Sequence, residues 1–437
     1  MDSPIISIHD PIHGTIEVTP AEITLIDAQP FQRLRHIKQL GFSELAFPGA
    51  THTRYAHSLG AMQMATQMVE RVLSALPIAE NDKVRFRQMV RLAVLFHDVG
   101  HAPFSHVTEK VMPDVVRLNL TDWITGTNRQ ATHEDYTIKI LVDSPLTQII
   151  EEQMQDFGIT GRHLASLVLG HAPVNEEESF TIGGHNFLPI LHQIVSSEMD
   201  ADRMDYLRRD AYYCGVNYGN FDHEWLVSNL TALEWDGHWV MALKHRGVWA
   251  FENFLLARYH MFLAVYLHHT PVCFDNMLKR YFHSVSYLLP VDINEYLNTD
   301  DVFMWNQLRK SENEWAKRVV ERRSYRLLFE QHNYGHEATT EVLEKQLSLG
   351  KVDFMKSSSQ GVLSKYFKHG AITQPPLVVL EPELGRISRI EDYTPLYKRF
   401  EEVVGLTRLY CDSDSFPKAA AIMRNLGHHT SGQMKLL

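Results

Sequence analysis

The chain has few cysteines, no long apolar run and no excess of positive charge. Its three cysteines, Cys214, Cys273 and Cys411, are far apart and form no CxxC pair, which argues against a disulfide framework and a thiolate zinc site. No stretch approaches the roughly 18 uninterrupted apolar residues of a spanning helix, and the N-terminus MDSPIISIHDP lacks the basic and apolar regions of a secretion signal. We therefore expect a folded cytoplasmic protein that has no membrane partner.

The charge balance limits the choice of partners. The formal net charge is -11 over 437 residues. Non-specific binding to nucleic acid depends on lysines and arginines that neutralise phosphates, so this balance argues against it. A polyanionic substrate would need a local basic pocket.

The hydrophobic pattern predicts a mainly α fold. Apolar residues three and four apart predict helices over about 21–115 and again at 133–156, 189–214 and 246–268. The segment IISIHDPIHGTIEVTP predicts a short N-terminal β-hairpin, and LEWDGHWVMAL predicts a second hairpin with its turn at Asp236-Gly237. We expect a large helical domain over residues 1–275.

Residues 276–437 predict a smaller α+β lobe. Residues 314–331 read as a charged helix, and KSSSQG at 356–361 reads as a loop. PLVVL and LTRLYC predict short strands around a helix in YTPLYKRFEEVVG.

The stretch FHDVGHAPFSH concentrates candidate ligands at the end of an apolar helix. His97 and Asp98 end that helix, Gly100 breaks the pattern, and His101 and His106 follow. Imidazole and carboxylate together suit a divalent metal ion with open water positions. A His-Asp dipeptide is also common as a simple hydrogen-bonded helix end, and the dipeptide alone does not decide between these interpretations.

Two other segments carry polar residues towards a cleft. In FPGATHTRYAHSLG, Arg54 and His57 open an amphipathic helix, although ordinary first-turn residues would look similar. In SSEMDADRMDYLRRDAYY, five polar residues share one helical face at i, i+3, i+4, i+7 and i+8: Asp202, Asp205, Tyr206, Arg209 and Asp210. A solvated, salt-bridged face has the same pattern, but the flanking apolar segment FLPILHQIVSS favours a buried helix.

Taken in order, these segments resemble a known family. DPIHGTIEV, FQRLRHIKQLG, FPGATHTRYAHSLG, HDVGHAPFSH, THED and DADRMDYLRRD are similar to motifs of the HD superfamily of metal-dependent phosphohydrolases, within the branch of deoxynucleoside triphosphate (dNTP) triphosphohydrolases. The resemblance covers roughly residues 5–270. It implies a helical HD-domain core and hydrolysis of a dNTP to deoxynucleoside and triphosphate.

The resemblance also implies roles for particular residues. One divalent metal ion (Mn, Fe, Ni, Co, Zn or Mg) would be held by two imidazoles and two carboxylates, those of His57, His97, Asp98 and Asp202. Water activation and protonation of the leaving 5′-oxygen would fall to a neighbouring group, in which His106 is our candidate acid: His101, His106, Glu109 and His133. From local sequence alone, His133 could equally be a surface residue in a capping box of Thr132 and Asp135.

Substrate and regulatory positions follow from the same resemblance. Phosphate, sugar and base contacts are implied for Gln39, Leu40, Arg54, Arg203, Tyr206, Asp210, Arg258 and Tyr266. A guanine-nucleotide activator, GTP or dGTP, would contact Asp27, Gln32 and Arg35, although these residues also fit an ordinary amphipathic helix capped by Asp27. The family further implies a homodimer or homotetramer.

Two other functions remain open at this stage. One is an HD-type phosphodiesterase, nucleotidase or nuclease that acts on monophosphates or single-stranded ends, against which the candidate phosphate arginines argue. The other is a nucleotide-sensing scaffold with little turnover. The presence of every metal and histidine position argues against it, since a scaffold would not need them all.

Overall fold

The structure is a computed structural model that describes residues 5–124, 129–334, 340–361, 376–398 and 404–428. The predicted N-terminal hairpin is confirmed: β1 (Ile6–Asp10) pairs antiparallel with β2 (Gly14–Val18). The Asp10 carboxylate closes its turn by accepting the N–H groups of Ile12 and His13, each at 2.9 Å.

Helices dominate the described residues, as the sequence predicts. The first group comprises α1 (Pro20–Ile26), α2 (Gln29–Gln32), α3 (Arg54–Ser74), α4 (Glu80–Phe96), α5 (His133–Val142), α6 (Pro145–Gln153), α7 (Gly161–Leu169), α8 (Leu188–Val195), α9 (Ala201–Cys214) and α10 (His223–Ser228). The second comprises α11 (Val248–Met261), α12 (His269–Ser284), α13 (Ile293–Tyr296), α14 (Asp301–Lys310), α15 (Glu314–Val320), α16 (Glu341–Leu349), α17 (Ile390–Tyr393), α18 (Pro395–Lys398) and α19 (Phe416–Asn425). A π-helical turn, Phe262–Tyr266, continues α11.

Helix α3 lies at the centre of the helical region, where it packs against both α4 and α9. Most of its side chains are buried, including the run from His57 to Met62. A helix that is buried on so much of its circumference must place its polar side chains in an internal site, since water is not available to them. Helices α3, α4 and α9, which carry three of the sequence motifs, thus meet at α3.

The strands form small sheets around this helical core. They are β3 (Thr181–Ile182), β4 (His185–Asn186), β5 (Leu230–Trp235), β6 (His238–Lys244), β7 (Arg326–Tyr334), β8 (Phe354–Gly361), β9 (Val378–Glu381), β10 (Arg386–Arg389) and β11 (Val404–Cys411). The predicted hairpin at Asp236-Gly237 is confirmed as β5 and β6, and both turn residues have positive φ.

The α+β character of the C-terminal region is also confirmed. Strands β7, β11 and β8 form an antiparallel sheet, and α16 and α19 pack with it around a small apolar cluster that includes Leu328, Leu347 and Met423. The predicted division at residue 275 falls inside α12, and β9 pairs in parallel with β6. The two predicted regions therefore share a helix and a sheet.

Two local predictions in this lobe are wrong. KSSSQG forms most of β8 rather than a loop, because its backbone pairs with β11 over the full strand and Ser357 is buried there. The charged segment 314–331 is helical only to Val320; the chain turns at Arg322, whose φ is +56°, and continues as β7. Within the described residues, no helix combines the length and apolarity needed to cross a membrane.

Candidate metal centre and active site

Four predicted ligands converge from three helices. His57 lies in the first turn of α3, His97 and Asp98 directly follow α4, and Asp202 lies in the first turn of α9. The Nε2 atom of His57 lies 3.0 Å from Asp202 Oδ1 and 3.7 Å from Asp98 Oδ2. The Nε2 atom of His97 lies 3.5 Å from Asp202 Oδ1 and 3.4 Å from Asp98 Oδ1. The ligand atoms of His57, His97 and Asp98 all lie within 4.8 Å of one another, and Asp202 Oδ1 approaches both imidazoles.

The unsatisfied atoms of this cluster fit a metal ion. The Nε2 atoms of His57 and His97 are buried, and neither makes a hydrogen bond of acceptable geometry among the described residues. Buried imidazole nitrogens are normally satisfied, so two that face the same two carboxylates indicate a missing common partner. Two neutral imidazoles with two carboxylates suit a divalent ion that keeps positions open.

Each imidazole is oriented through its other nitrogen. His57 Nδ1 lies 2.8 Å from Asp205 Oδ2, and His97 Nδ1 donates to the carbonyl oxygen of Val94 at 2.6 Å. Such contacts fix the ring orientation and leave Nε2 free for a metal. The sequence placed Asp205 on the polar face of α9 but gave it no role; its spacing of three residues from Asp202 was the available signal.

The neighbouring carboxylates favour the protonated form of both imidazoles. Burial disfavours the charged form of His57, but Asp202 and Asp205 outweigh it and raise the pKa to about 10. Burial likewise opposes protonation of His97, whose pKa is nevertheless raised by Asp98 and Asp202. Because ligand nitrogens must be deprotonated, metal uptake should release protons and weaken in acid.

A second group of histidines lies beside the metal centre. His101 Nε2 lies 3.2 Å from Asp98 Oδ1, and its ring stacks on that of His133 with centroids 3.9 Å apart. Glu109 contacts the Nδ1 atoms of both His133 and His106, the latter at 3.0 Å. The glutamate therefore pairs with these two histidines rather than with His101.

The protonation states within this group differ. Burial, with the nearby charge of Arg54, lowers the pKa of His101 well below its usual value, so this ring is neutral. Burial also opposes protonation of His133, but Glu109 raises its pKa. The predicted capping box of Thr132 and Asp135 is present, yet His133 points inward, so the two interpretations of THED are compatible.

Gly100 allows the two groups to approach each other. Its N–H donates to Thr137 Oγ1 at 3.0 Å, and the Thr137 hydroxyl donates to the carbonyl oxygen of His97 at 2.9 Å. A Cβ at Gly100 would collide with the carbonyl oxygen of His133 and the amide nitrogen of Thr137. Both are backbone atoms, so rotation of a side chain cannot relieve the collision.

Gly100→Ala should therefore separate the end of α4 from the start of α5. We expect a loss of about 1–3 kcal/mol in the free energy of unfolding, measured by chemical denaturation, together with a reduced metal content. Thr137→Val removes the two hydrogen bonds without adding the collision; because it leaves the buried Gly100 N–H unsatisfied, it should cost about 1–3 kcal/mol of stability but should not separate the two helices. If Gly100→Ala is as stable as the wild type, the close approach of α4 and α5 at this position does not require a glycine.

Arginines line one side of the site. Arg54 is buried and donates to Asp98 Oδ2 at 2.5 Å and to Ser105 Oγ at 3.0 Å. Arg258 donates to Glu198 Oε1 at 2.9 Å, and Arg203 lies 3.6 Å from the same oxygen. Sequence reasoning missed Glu198, because nothing in its neighbourhood marks a glutamate that joins helices α9 and α11.

Aromatic and polar side chains lie next to two of these arginines. Tyr206 lies within electrostatic reach of Arg203, Arg258 and Asp202, and its ring is 6.1 Å from that of Tyr266. The Tyr266 hydroxyl donates to Asp210 Oδ2 at 2.7 Å. A π-helical turn ends at Tyr266, so Tyr266 does not lie where a regular continuation of α11 would place it.

Asp210 also connects to the predicted sugar-reading residues. His52 Nε2 lies 2.7 Å from Asp210 Oδ1, and the backbone N–H of Gln39 donates to the carbonyl oxygen of His52 at 3.0 Å. Gln39 Oε1 is buried and accepts no hydrogen bond from the part of the chain that is described. Leu40 follows it and is half-buried. His52 was not predicted.

The three candidate regulatory residues lie together near the surface. Arg35 donates to Gln32 Oε1 at 2.7 Å, and its guanidinium lies 3.6 Å from the centroid of the Tyr55 ring. Asp27 is exposed at the end of α1, while Ala28 occupies the N-cap of α2. The alternative of an ordinary amphipathic helix capped by Asp27 is wrong, because Ala28 is the N-cap of α2, α2 ends at Gln32 and a 3-10 helix follows.

The protein is mainly helical, and its cluster of two histidines and two aspartates is suited to bind a metal ion. A family model described as HD domain matches residues 54–210, and one described as HD associated region matches residues 221–354. Residues 54–210 therefore form an HD domain, followed by an HD-associated region at 221–354, which confirms the resemblance found in the sequence.

Individual proteins show the same relationship. The uncharacterized protein MJ1154 of Methanocaldococcus jannaschii is 32% identical over 74% of this chain and 59% of its own length. The deoxynucleoside triphosphate triphosphohydrolase SAMHD1 of Gallus gallus is 29% identical over 68% of this chain and 45% of its own. A hypothetical protein from Aquifex aeolicus has a similar structure, with a TM-score of 0.72, 28% identity and coverage of 96% of this chain and 100% of that one. The chain thus spans about half the length of the curated relatives it matches.

Proposed function

We propose that the protein is a metal-dependent phosphohydrolase that converts dNTPs to deoxynucleoside and triphosphate by attack at the α-phosphorus. The observation that carries this proposal is the convergence of His57, His97 and Asp98, with Asp202 Oδ1 close to the Nε2 atoms of both histidines, which are left unsatisfied. The resemblance to the SAMHD1 enzymes supports the choice of substrate.

The residues around the metal ligands have separate tasks in this reaction. The four ligands would hold a divalent ion, which would supply Lewis acidity at phosphorus. Arg54, Arg203 and Arg258 bind phosphate oxygens, and a triphosphate must compete with Glu198 for the last two. These buried arginines provide local positive charge in an otherwise acidic chain.

Proton transfer falls to the histidines. His101 is neutral, so it can orient the attacking water or accept a proton from it. The leaving 5′-oxygen needs a proton donor, and Glu109 supports two candidates, His106 and His133. The His106 side chain is 69% exposed, whereas that of His133 is 19% exposed and has its pKa raised by Glu109.

Recognition of the sugar is assigned to the corner around Asp210. Its carboxylate and the unsatisfied Gln39 Oε1 are acceptors for a 3′-hydroxyl donor. Leu40 and Tyr266 occupy the side from which a 2′-hydroxyl would be excluded. Regulation by GTP or dGTP is assigned to Asp27, Gln32 and Arg35, and the proposed enzyme is a homodimer or homotetramer.

Product analysis tests the function. Each dNTP and rNTP is incubated with the protein and Mn²⁺, with and without GTP or dGTP, and products are resolved by ion-exchange chromatography. We expect tripolyphosphate and an equimolar deoxynucleoside from dNTPs, and a rate that increases on addition of guanine nucleotide. Cleavage of monophosphates or oligonucleotides without tripolyphosphate would instead identify a phosphomonoesterase or nuclease, and ligand binding without turnover would identify a sensor.

A further inference from the structure

The Asp205 carboxylate lies behind the metal centre and is surrounded by nitrogen atoms. Its Oδ1 lies 2.6 Å from His13 Nε2 and 2.9 Å from a terminal nitrogen of Arg209. Its Oδ2 lies 2.8 Å from His57 Nδ1 and 2.8 Å from Arg209 Nε. A carboxylate has about four acceptor positions, so all of them are used here.

This arrangement fixes the tautomers of two histidines. Asp205 is paired with the guanidinium of Arg209 through both of its oxygens, which is the geometry of an ionised carboxylate. An ionised carboxylate only accepts hydrogen bonds, so His57 must donate through Nδ1–H and His13 through Nε2–H. A metal-binding His57 therefore presents the lone pair of Nε2 towards Asp98 and Asp202.

The N-terminal hairpin holds His13 in this position. Within the turn, Asp10 Oδ1 accepts the backbone N–H of His13. Asp10 Oδ2 accepts from a terminal Arg209 nitrogen at 2.8 Å and His13 contacts Asp205, so the turn is tied to α9 at two points. There is no free space on the α3 side, because a Cβ at Gly60 would collide with both Arg209 and Asp205. The carboxylate cannot rotate away while these contacts persist.

We propose that His13 is a positioning residue for the metal centre: the N-terminal hairpin sets the orientation and tautomer of the ligand His57 through Asp205. Without the His13 donor, Oδ1 of Asp205 loses one of its two partners and the carboxylate can turn away from His57. The effect is on metal affinity, since His13 itself does not reach the substrate or the ligand atoms. This assignment deepens the proposed function and depends on metal binding, but not on the identity of the substrate.

The test is calorimetric titration of the metal-free full-length protein with Mn²⁺. His13→Ala should weaken Mn²⁺ binding by about tenfold, the lower end of the range for outer residues of metal sites. His13→Gln keeps an N–H donor near the position of Nε2 and should restore most of the affinity, whereas His13→Asn places its amide near Nδ1 and should not. His9→Ala, at an exposed position of the same hairpin, is the matched control.

A second measurement separates positioning from general damage. The activity of His13→Ala should return towards the wild-type kcat at saturating Mn²⁺, with an increased Mn²⁺ requirement. Unchanged affinity in His13→Ala, or equal loss in His13→Ala and His13→Gln, would overturn the assignment. If His13→Ala does not fold, the contrast between His13→Gln and His13→Asn decides the question.

The outcomes distinguish this inference from the proposed function. Wild-type protein that binds no Mn²⁺ would overturn both. Wild-type protein that binds Mn²⁺ but hydrolyses no dNTP would overturn only the proposed function, and the titrations would still decide the role of His13.

Discussion

Replacing Asp202 by alanine is expected to abolish metal binding and dNTP hydrolysis together. Asp202 Oδ1 is the atom that approaches both His57 Nε2 and His97 Nε2, at 3.0 and 3.5 Å. Its loss leaves two imidazoles and one carboxylate, and that remaining carboxylate is already bound by Arg54. A metal ion contributes several kcal/mol of transition-state stabilisation, so kcat/KM should fall by roughly three to four orders of magnitude.

The fold should survive this substitution, because Asp202 lies at the edge of the cleft and its side chain is 29% exposed. Metal content by elemental analysis and unfolding by circular dichroism are measured on the same sample. Asp222→Ala is the control. Asp222 caps α10 by accepting the N–H of Trp225, so its removal should lower the stability by about 1 kcal/mol and leave the metal content unchanged. An Asp202→Ala protein that retains stoichiometric metal and activity would rule out this ligand set.

The four ligand candidates came from the resemblance to the HD superfamily, which rests on short motifs, and the structure brings their side chains together. His97 and Asp98 are placed by the end of one helix, and Asp202 by the first turn of another, so each motif carries its own structural context. The hairpins were predictable from local sequence, since turn residues such as Asp236 and Gly237 act over a few positions.

Partners that come from distant parts of the chain were not predictable. His13 reaches Asp205 from the N-terminal hairpin, and Glu198 reaches Arg258 from the segment before α9. No local pattern encodes such a pairing, because it depends on how helices pack. The serine-rich strand β8 was missed for a related reason: pairing with β11 determines its conformation, and its own residues have little preference for it.

Replacing Glu109 by glutamine should slow hydrolysis by roughly 100-fold at neutral pH, a typical contribution for general acid catalysis. Glu109 binds Nδ1 of both candidate donors, and it raises the pKa of His133 against the opposing effect of burial. The neutral amide removes that charge, so the pKa of His133 must fall. The protonated donor is then lost at a lower pH, and the alkaline limb of the kcat profile should shift to lower pH.

The pH dependence distinguishes this effect from simple loss of structure. The ratio of mutant to wild-type kcat should decrease as the pH rises from about 6 to 8, because wild-type His133 retains its proton in this range longer than the variant does. Metal content should not change, since Glu109 contacts none of the four metal ligands through a hydrogen bond in the described structure. Glu134→Gln removes an exposed carboxylate that also acts on His133 but makes no hydrogen bond to it, and should shift the limb less. A uniform loss of rate at every pH would mean that Glu109 orients the histidines without tuning their protonation, and an unchanged rate would exclude the pair from proton transfer.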